Sequence, residues 1–157
     1  MEQSTEKLRT SGGYSCSTCC SALARNRAAP GVPMAEALPL GKRILVVDDQ
    51  KSIRDILSHL LSGLGFHVTL ASDGAQGWRR FQSAPCDLVL TDLHMPVMDG
   101  WDLARRIKEA SPRTPVVLLT GEGRGRVLEK LDRSDIDSAL FKPFSLGELE
   151  EVVLRTL

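Results

Sequence analysis

The sequence predicts an α/β protein built as a doubly wound, five-stranded parallel sheet, three layers with helices on both faces. Three observations carry this. After residue 41, short apolar runs rich in branched residues recur five times, each bounded by turn signals, as strands buried on both faces require. Between them, apolar residues repeat at helical spacing. The connections are short, and strand–helix alternation with short connections builds a parallel sheet.

Arg43-Ile44-Leu45-Val46-Val47 is the first buried strand and ends in Asp48-Asp49. Ile53, Ile56, Leu57, Leu60, Leu61 and Leu64 then form the inward face of a helix, with Lys51, Arg54, Asp55, Ser58 and His59 opposite, and Gly63 and Gly65 close it. Phe66–Ala71 reads as the second strand. Ser72-Asp73-Gly74 leads into a helix to about Ser83, with Ala75, Trp78 and Phe81 inward and Pro85 ending it. Leu88-Val89-Leu90-Thr91 delivers Asp92 at the end of the third strand, and a turn punctuated by Pro96 and Gly100 follows. Trp101–Ala110 is the next helix, with Leu103, Ala104 and Ile107 inward, stopped by Ser111-Pro112. Pro115–Thr120 is the fourth strand. Gly121–Gly125 is a flexible loop that lacks the GxxxxGK[ST] pattern of a phosphate loop, and Val127, Leu128 and Leu131 mark a short helix. Ser138–Phe141 is the fifth strand, closed by Lys142-Pro143. Ser145 caps the last helix with Glu148 in capping-box spacing, and Leu149, Val152, Val153 and Leu157 face inward.

Residues 1–40 have a different texture, with Ser, Thr, Gly, Ala, Pro and Arg and little periodicity. Such a segment buries too little apolar surface to offset its ordering entropy and reads as a mobile, disordered extension, leaving residues 41–157 as one domain. Met34 is a candidate translation start. Cys16, Cys19 and Cys20 make half a zinc-site spacing with no second half nearby, and read as thiols in a reducing cytoplasm. Cys86 reads as a small core or rim residue. A net charge of zero gives no case for nucleic-acid or acidic-membrane binding, and no apolar run approaches the ~20 residues of a membrane span. With no signal-peptide pattern either, the expected location is the cytoplasm.

The strand ends carry the chemistry. In a parallel sheet, Asp48-Asp49, Asp92, Thr120 and Lys142 fall on one edge, where open α/β sheets bind ligands. Each has an ordinary reading too: a DD pair can start a helix, a Thr can close a strand, a Lys can be solvated. As a set they form three carboxylates, a hydroxyl and an ammonium. Three close carboxylates repel, and a hard divalent cation resolves that conflict; Mg²⁺ suits a site of few protein oxygens completed by water. Such a cation, with Lys142 and Thr120, would receive a phosphoryl group, and Asp92 would be the nucleophile that carries it.

The motifs ILVVDD, DLVLTDLHMPVMDGWDL, VVLLTG and LFKPF occur in this order and with suitable spacing, so residues from about Lys42 to Leu157 resemble the receiver domain of two-component response regulators. The resemblance implies a flavodoxin-like fold, Mg²⁺ as cofactor and Asp92 as phosphoacceptor. It makes Asp49 a direct metal ligand, Asp48 a ligand directly or through water, and the main-chain carbonyl of His94 a third. Thr120 becomes the switch hydroxyl and Lys142 the phosphate-contacting lysine, with Lys142–Pro143 cis. It further implies a histidine kinase or histidine phosphotransfer protein as donor, docking near the first helix, and an unidentified downstream protein as target.

Two features depart from the pattern or refine it. Receivers usually carry Tyr or Phe three residues before the lysine; here it is Ala139, and alternation is expected to turn Phe141 to the other face. The expectation is a muted response of the face formed by the fourth helix, fifth strand and fifth helix to phosphorylation. His94 and Glu122, two residues beyond Asp92 and Thr120, hold positions that govern phosphoryl lifetime in the family; they read either as exposed loop residues or as a pair across the site that slows hydrolysis. Two rival functions are weighed: an aspartyl-phosphate phosphohydrolase, which would want an acid where His94 stands, and a binding-only module, which has no need of all five polar strand-end residues. The receiver is not an enzyme on other substrates, promoting only its own phosphorylation and dephosphorylation.

Overall fold

The computed structural model describes residues 41–131 and 135–157. The expected N-terminal extension, Met34, and Cys16, Cys19 and Cys20 lie outside the described residues. The described chain runs β1 (Arg43–Val47), α1 (Lys51–Gly63), β2 (His67–Ala71), α2 (Gly74–Ser83), β3 (Leu88–Asp92), α3 (Gly100–Ala110), β4 (Val116–Thr120), α4 (Arg124–Leu131), β5 (Ser138–Phe141) and α5 (Leu146–Thr156). All strand pairings are parallel, in the order β2-β1-β3-β4-β5. The α/β architecture read from the sequence is the one observed. The chain winds outward from β1 to β2, then crosses back over β1 to β3. That reversal opens a crevice between the ends of β1 and β3, where Asp48, Asp49 and Asp92 emerge.

Alternation along the strands splits the interior into two cores. Ile44 and Val46 of β1 pack with Leu57 and Leu61 of α1 and Leu149 and Val153 of α5. Leu45 and Val47 face the other way, toward Leu103 and Ile107 of α3 and Val127 of α4. β3 and β4 are buried along their whole length, whereas the edge strand β2 alternates with solvent. Local signals place the helix starts. Asp73 accepts a bond from Gln76 N at 2.7 Å, Asp99 accepts one from Asp102 N at 2.8 Å, and Ser145 and Glu148 form the reciprocal capping box.

Several expectations shift. Ile56 is 53% exposed, because a helix lying on a flat sheet buries a narrower arc than its apolar stripe, here centred on Leu57 and Leu61. On α2 the buried positions are Gly74, Gly77 and Phe81, while Ala75 and Trp78 are half-buried. Gly77 is used because a Cβ there would lie 2.9 Å from Val47, so the missing side chain lets α2 settle onto β1. α4 begins at Arg124, inside the segment read as loop. Cys86 packs against the α2–α3 core, and burial pushes its thiol up to about 11.

Gly100 is constrained more tightly. A Cβ there would sit 2.4 Å from the main-chain oxygen of Asp92, while Gly100 N donates to Leu93 O at 3.0 Å to close the β3–α3 turn. Gly100→Ala is therefore expected to cost about 2–3 kcal/mol, since backbone must move. Gly77→Ala, which meets only side-chain carbons of Val47 and Leu103, should cost less, about 1 kcal/mol. Urea unfolding of both variants against the parent checks the order; an unchanged midpoint for Gly100→Ala would contradict the packing argument.

Candidate functional site

Each strand carries its terminal polar residue to the crevice. Asp48, following β1, is fully buried, and its own turn satisfies it: Gln50 N donates to Oδ1 at 2.8 Å, and Arg54, one turn into α1, reaches back to Asp48 O at 2.5 Å. Asp92 ends β3 at 8% exposure, with His94 N donating to its Oδ2 at 2.9 Å. The Lys142 ammonium, following β5, bridges the two acids, donating to Asp48 Oδ2 at 2.8 Å and to Asp92 Oδ1 at 2.5 Å. Burial disfavours that ammonium, but the two carboxylates outweigh burial and raise its pKa above the ordinary lysine value. Thr120, closing β4, is buried; its Oγ1 accepts from Glu122 N at 3.0 Å.

Asp49 differs from its neighbour. It is exposed and makes no hydrogen bond or ion pair among the described residues, so its carboxylate is free for a ligand. Among the described residues no three His, Cys, Asp or Glu side chains converge into a complete metal cage. That donor set suits Mg²⁺, which binds through one or two carboxylates and keeps several waters, and does not suit Zn²⁺, which wants a closed tetrahedron. The crevice also fits on charge: two carboxylates share one ammonium and Asp49 adds a third acid beside them in sequence, so an added divalent cation is compensated rather than repelled.

The structure brings together Asp48, Asp92 and Lys142 by direct contact, and sets Thr120 beside them through the β4–β5 pairing, where Lys142 N donates to Thr120 O at 2.7 Å. It also joins His94 to Glu122: Nε2 and Oε1 lie 2.8 Å apart, linking the β3–α3 and β4–α4 loops. The Lys142–Pro143 peptide is cis, as the resemblance implies.

The expectation for Phe141 is corrected. Residues two apart on a strand share a face, and Ala139 and Phe141 both pack against the α3–α4 core, on the opposite side from Leu140. An aromatic ring therefore remains on the face that Ala139 leaves open, two residues farther along. Sequence reading also missed Arg54, whose hold on the Asp48 carbonyl pairs a helix residue with a strand end. A second omission is an apolar cleft of about 460 Å³ lined by Ile53, Ile56, Leu57, Lys142, Pro143 and Phe144. The exposure of Ile56 is its signature, and a helical-period count assigns such a residue to the core.

A parallel sheet whose reversal point gathers acids, a hydroxyl and an ammonium defines a doubly wound α/β protein with an acidic, cation-ready crevice. The response regulator receiver domain profile matches residues 44–154, and the chain belongs to that family, the receiver domains of two-component response regulators. The chain is 36% identical over 128 residues to the autoinducer 1 sensor kinase/phosphatase LuxN of Vibrio campbellii (strain ATCC BAA-1116), covering 82% of this chain and 15% of that protein. It is 36% identical over 116 residues to the response regulator receiver protein CpdR of Brucella abortus (strain 2308), covering 74% of this chain and 97% of that one. This chain thus spans a small fraction of the first relative and nearly all of the second. Among solved structures, response regulator protein TrrA from Thermotoga maritima, in complex with Mg(2+)-BeF, is similar at a TM-score of 0.67 and 33% identity, covering 74% of this chain and 99% of that one. Mg²⁺ use is thereby supported for the family. Among the described residues, no helix is long and apolar enough to cross a membrane.

The bridging ammonium sets a stability prediction. Lys142→Met leaves two largely buried carboxylates facing each other and is expected to cost about 2–3 kcal/mol without Mg²⁺, the low end for a broken buried pair because Lys142 keeps 21% of its side chain in water. Since the folded pKa of Lys142 is raised, its contribution is complete below the unfolded value of ~10.4 and is lost as pH rises through the folded value. Thermal unfolding of parent and variant should differ by a constant amount from neutral pH to about pH 10 and converge only above it. A gap that closes near neutral pH would refute the bridge.

Proposed function

We propose that this chain is the phosphoacceptor receiver of a two-component phosphorelay, taking a phosphoryl group onto Asp92 from a phosphohistidine on a histidine kinase or histidine phosphotransfer protein. The observation that carries the reading is the Lys142 ammonium shared by Asp48 and Asp92 in a crevice with excess negative charge. In the transfer, a carboxylate oxygen of Asp92 attacks phosphorus, the phosphorus–nitrogen bond of the donor breaks, and the imidazole leaves with the electron pair. The product is an acyl phosphate. Lys142 then turns from the Asp92 carboxylate to a phosphoryl oxygen, and the Thr120 hydroxyl donates to another. Asp49, Asp92 and the main-chain carbonyl of His94, with Asp48 directly or through water, would hold Mg²⁺, which would supply charge compensation between carboxylates and phosphoryl group.

The donor would dock on the apolar cleft formed by Ile53, Ile56, Pro143 and Phe144, which shares Lys142 with the site and so lies on the approach to Asp92. Exposed Ile56 and Leu146 supply the apolar surface that such a partner buries. The output is contact with a downstream protein. The His94–Glu122 bridge, spanning the two loops beside Asp92, restrains attack of water on the acyl phosphate.

Incubation with acetyl phosphate and Mg²⁺ should add one phosphoryl mass to the parent protein and none to Asp92→Ala, read by intact mass spectrometry. Failure of the parent to gain mass, with or without a kinase domain as donor, would point to the binding-only module instead. Decay of the phosphorylated protein gives the second test. His94→Ala should hydrolyse several-fold faster than the parent, and Glu122→Ala similarly; an unchanged half-life in both would remove the bridge from the chemistry.

A further inference from the structure

We propose that Arg124 and Phe141 form a clasp that holds the start of α4 against the β5 edge in the resting protein and opens when Asp92 is phosphorylated. The opening rests on the receiver reading above; the resting clasp stands on contacts alone. The Arg124 guanidinium lies 5.1 Å from the centroid of the Phe141 ring, within reach of cation–π attraction. It also lies near Glu148 of α5, whose carboxyl is held low first by the Ser145 hydrogen bonds and, to a lesser degree, by Arg124. One side chain thus touches β5 and faces α5 from the first residue of α4.

The clasp matters because little else fixes this end of the helix. α4 is eight residues of mixed charged and apolar character, and Val127 is its fully buried anchor among the described side chains. The segment before it carries glycine at 121 and 123, which bring no side chain to pack and where an added Cβ would meet nothing within 4 Å. Two further ties restrain the loop, and both lead to the phosphorylation site. Thr120 Oγ1 accepts from Glu122 N, and Glu122 Oε1 meets His94, whose own N–H is bonded to Asp92. A phosphoryl group on Asp92 offers new acceptor oxygens to the Thr120 hydroxyl. A Thr120 side chain that turns about χ1 to donate to them carries Oγ1 away from Glu122 N, and the loop loses one of its three restraints.

Phe141 cannot follow that movement. It pairs in register with Thr120, and its successor Lys142 donates to Thr120 O at 2.7 Å, so the ring's backbone is fixed to the sheet. The element that shifts is Arg124, carried on the loop. Room for it exists: beside Ala139 lies a cleft of about 670 Å³ bordered by Arg124, Phe141, Glu148, Glu151 and Arg155. A bulky side chain at 139 would fill that space and lock the guanidinium in place. Ala139 therefore frees a movement instead of removing one.

Hydrogen–deuterium exchange of the full chain tests this, read on peptides covering residues 124–131, with and without Mg²⁺ and beryllofluoride as the phosphoryl mimic. In the resting protein, Arg124→Ala and Phe141→Leu should each raise exchange of the first turn of α4 about threefold, the loss expected of an exposed cation–π contact, with Arg124→Lys between them and the parent. Beryllofluoride should raise exchange in the parent and raise it by a smaller factor in Arg124→Ala, where only the Thr120 tie is left to release, while phosphoryl uptake from acetyl phosphate stays equal in both. Resting exchange equal to the parent in Arg124→Ala would overturn the clasp, even if Phe141→Leu fails to fold. A beryllofluoride response of α4 undiminished in Arg124→Ala would overturn its opening. Loss of phosphoryl uptake by the parent would instead strike the receiver reading and the opening, leaving the resting comparison to decide the clasp on its own.

Discussion

The ammonium of Lys142 is the contact on which the crevice depends. Asp48 is fully out of water and Asp92 nearly so, and two ionised carboxylates in that state repel strongly. A single cation placed between them makes their coexistence tolerable, and both of its bonds are short and charge-assisted. The same cation is mobile enough, on its four-carbon stem, to change partners when a more negative group arrives. A guanidinium fork would hold one carboxylate more rigidly and yield it less readily. The resting crevice therefore carries an excess of negative charge, with the Asp49 carboxylate left unpaired among the described residues.

The fold supplies the convergence that this balance requires. Crossing from β2 back over β1 puts β1 and β3 side by side with their carboxylate ends together, and β4 and β5 follow in order, so Thr120 and Lys142 arrive from the same direction. Arg54 fixes the Asp48 turn from the helix side, and Gly100 lets α3 start within touching distance of the Asp92 backbone. The acids are thus held by main-chain geometry, while the hydroxyl, the ammonium and the free Asp49 keep side-chain freedom.

Most of this was legible in the sequence, for a physical reason. Strands buried on both faces cannot alternate with polar residues, so runs such as ILVV and VVLLT stand out, and the polar residue that ends each run marks its mouth. The last helix's cap was readable because Ser145 and Glu148 satisfy main-chain donors locally, whereas the capping roles of Asp73 and Asp99 emerged with the structure. What stayed hidden depends on distance in three dimensions. The exposure of Ile56 depends on how much of α1 the sheet covers, the use of Gly77 on how closely α2 approaches Val47, and the meeting of Arg124 with Phe141 on where α4 begins. The misassigned face of Phe141 has a different origin: positions 139 and 141 are two apart, and period-two geometry puts them together.

The division of the interior into two cores has an evolutionary consequence. Ile44, Leu57 and Leu149 on one side and Leu45, Leu103 and Val127 on the other belong to separate clusters, divided by the sheet. Substitutions in well-separated clusters combine nearly additively. The side backed by α1 and α5, next to the apolar cleft at Ile56, can change its packing while the α3–α4 side keeps its own, and the reverse holds equally. The two faces of the domain can then diverge in sequence without each change having to be matched by another across the sheet.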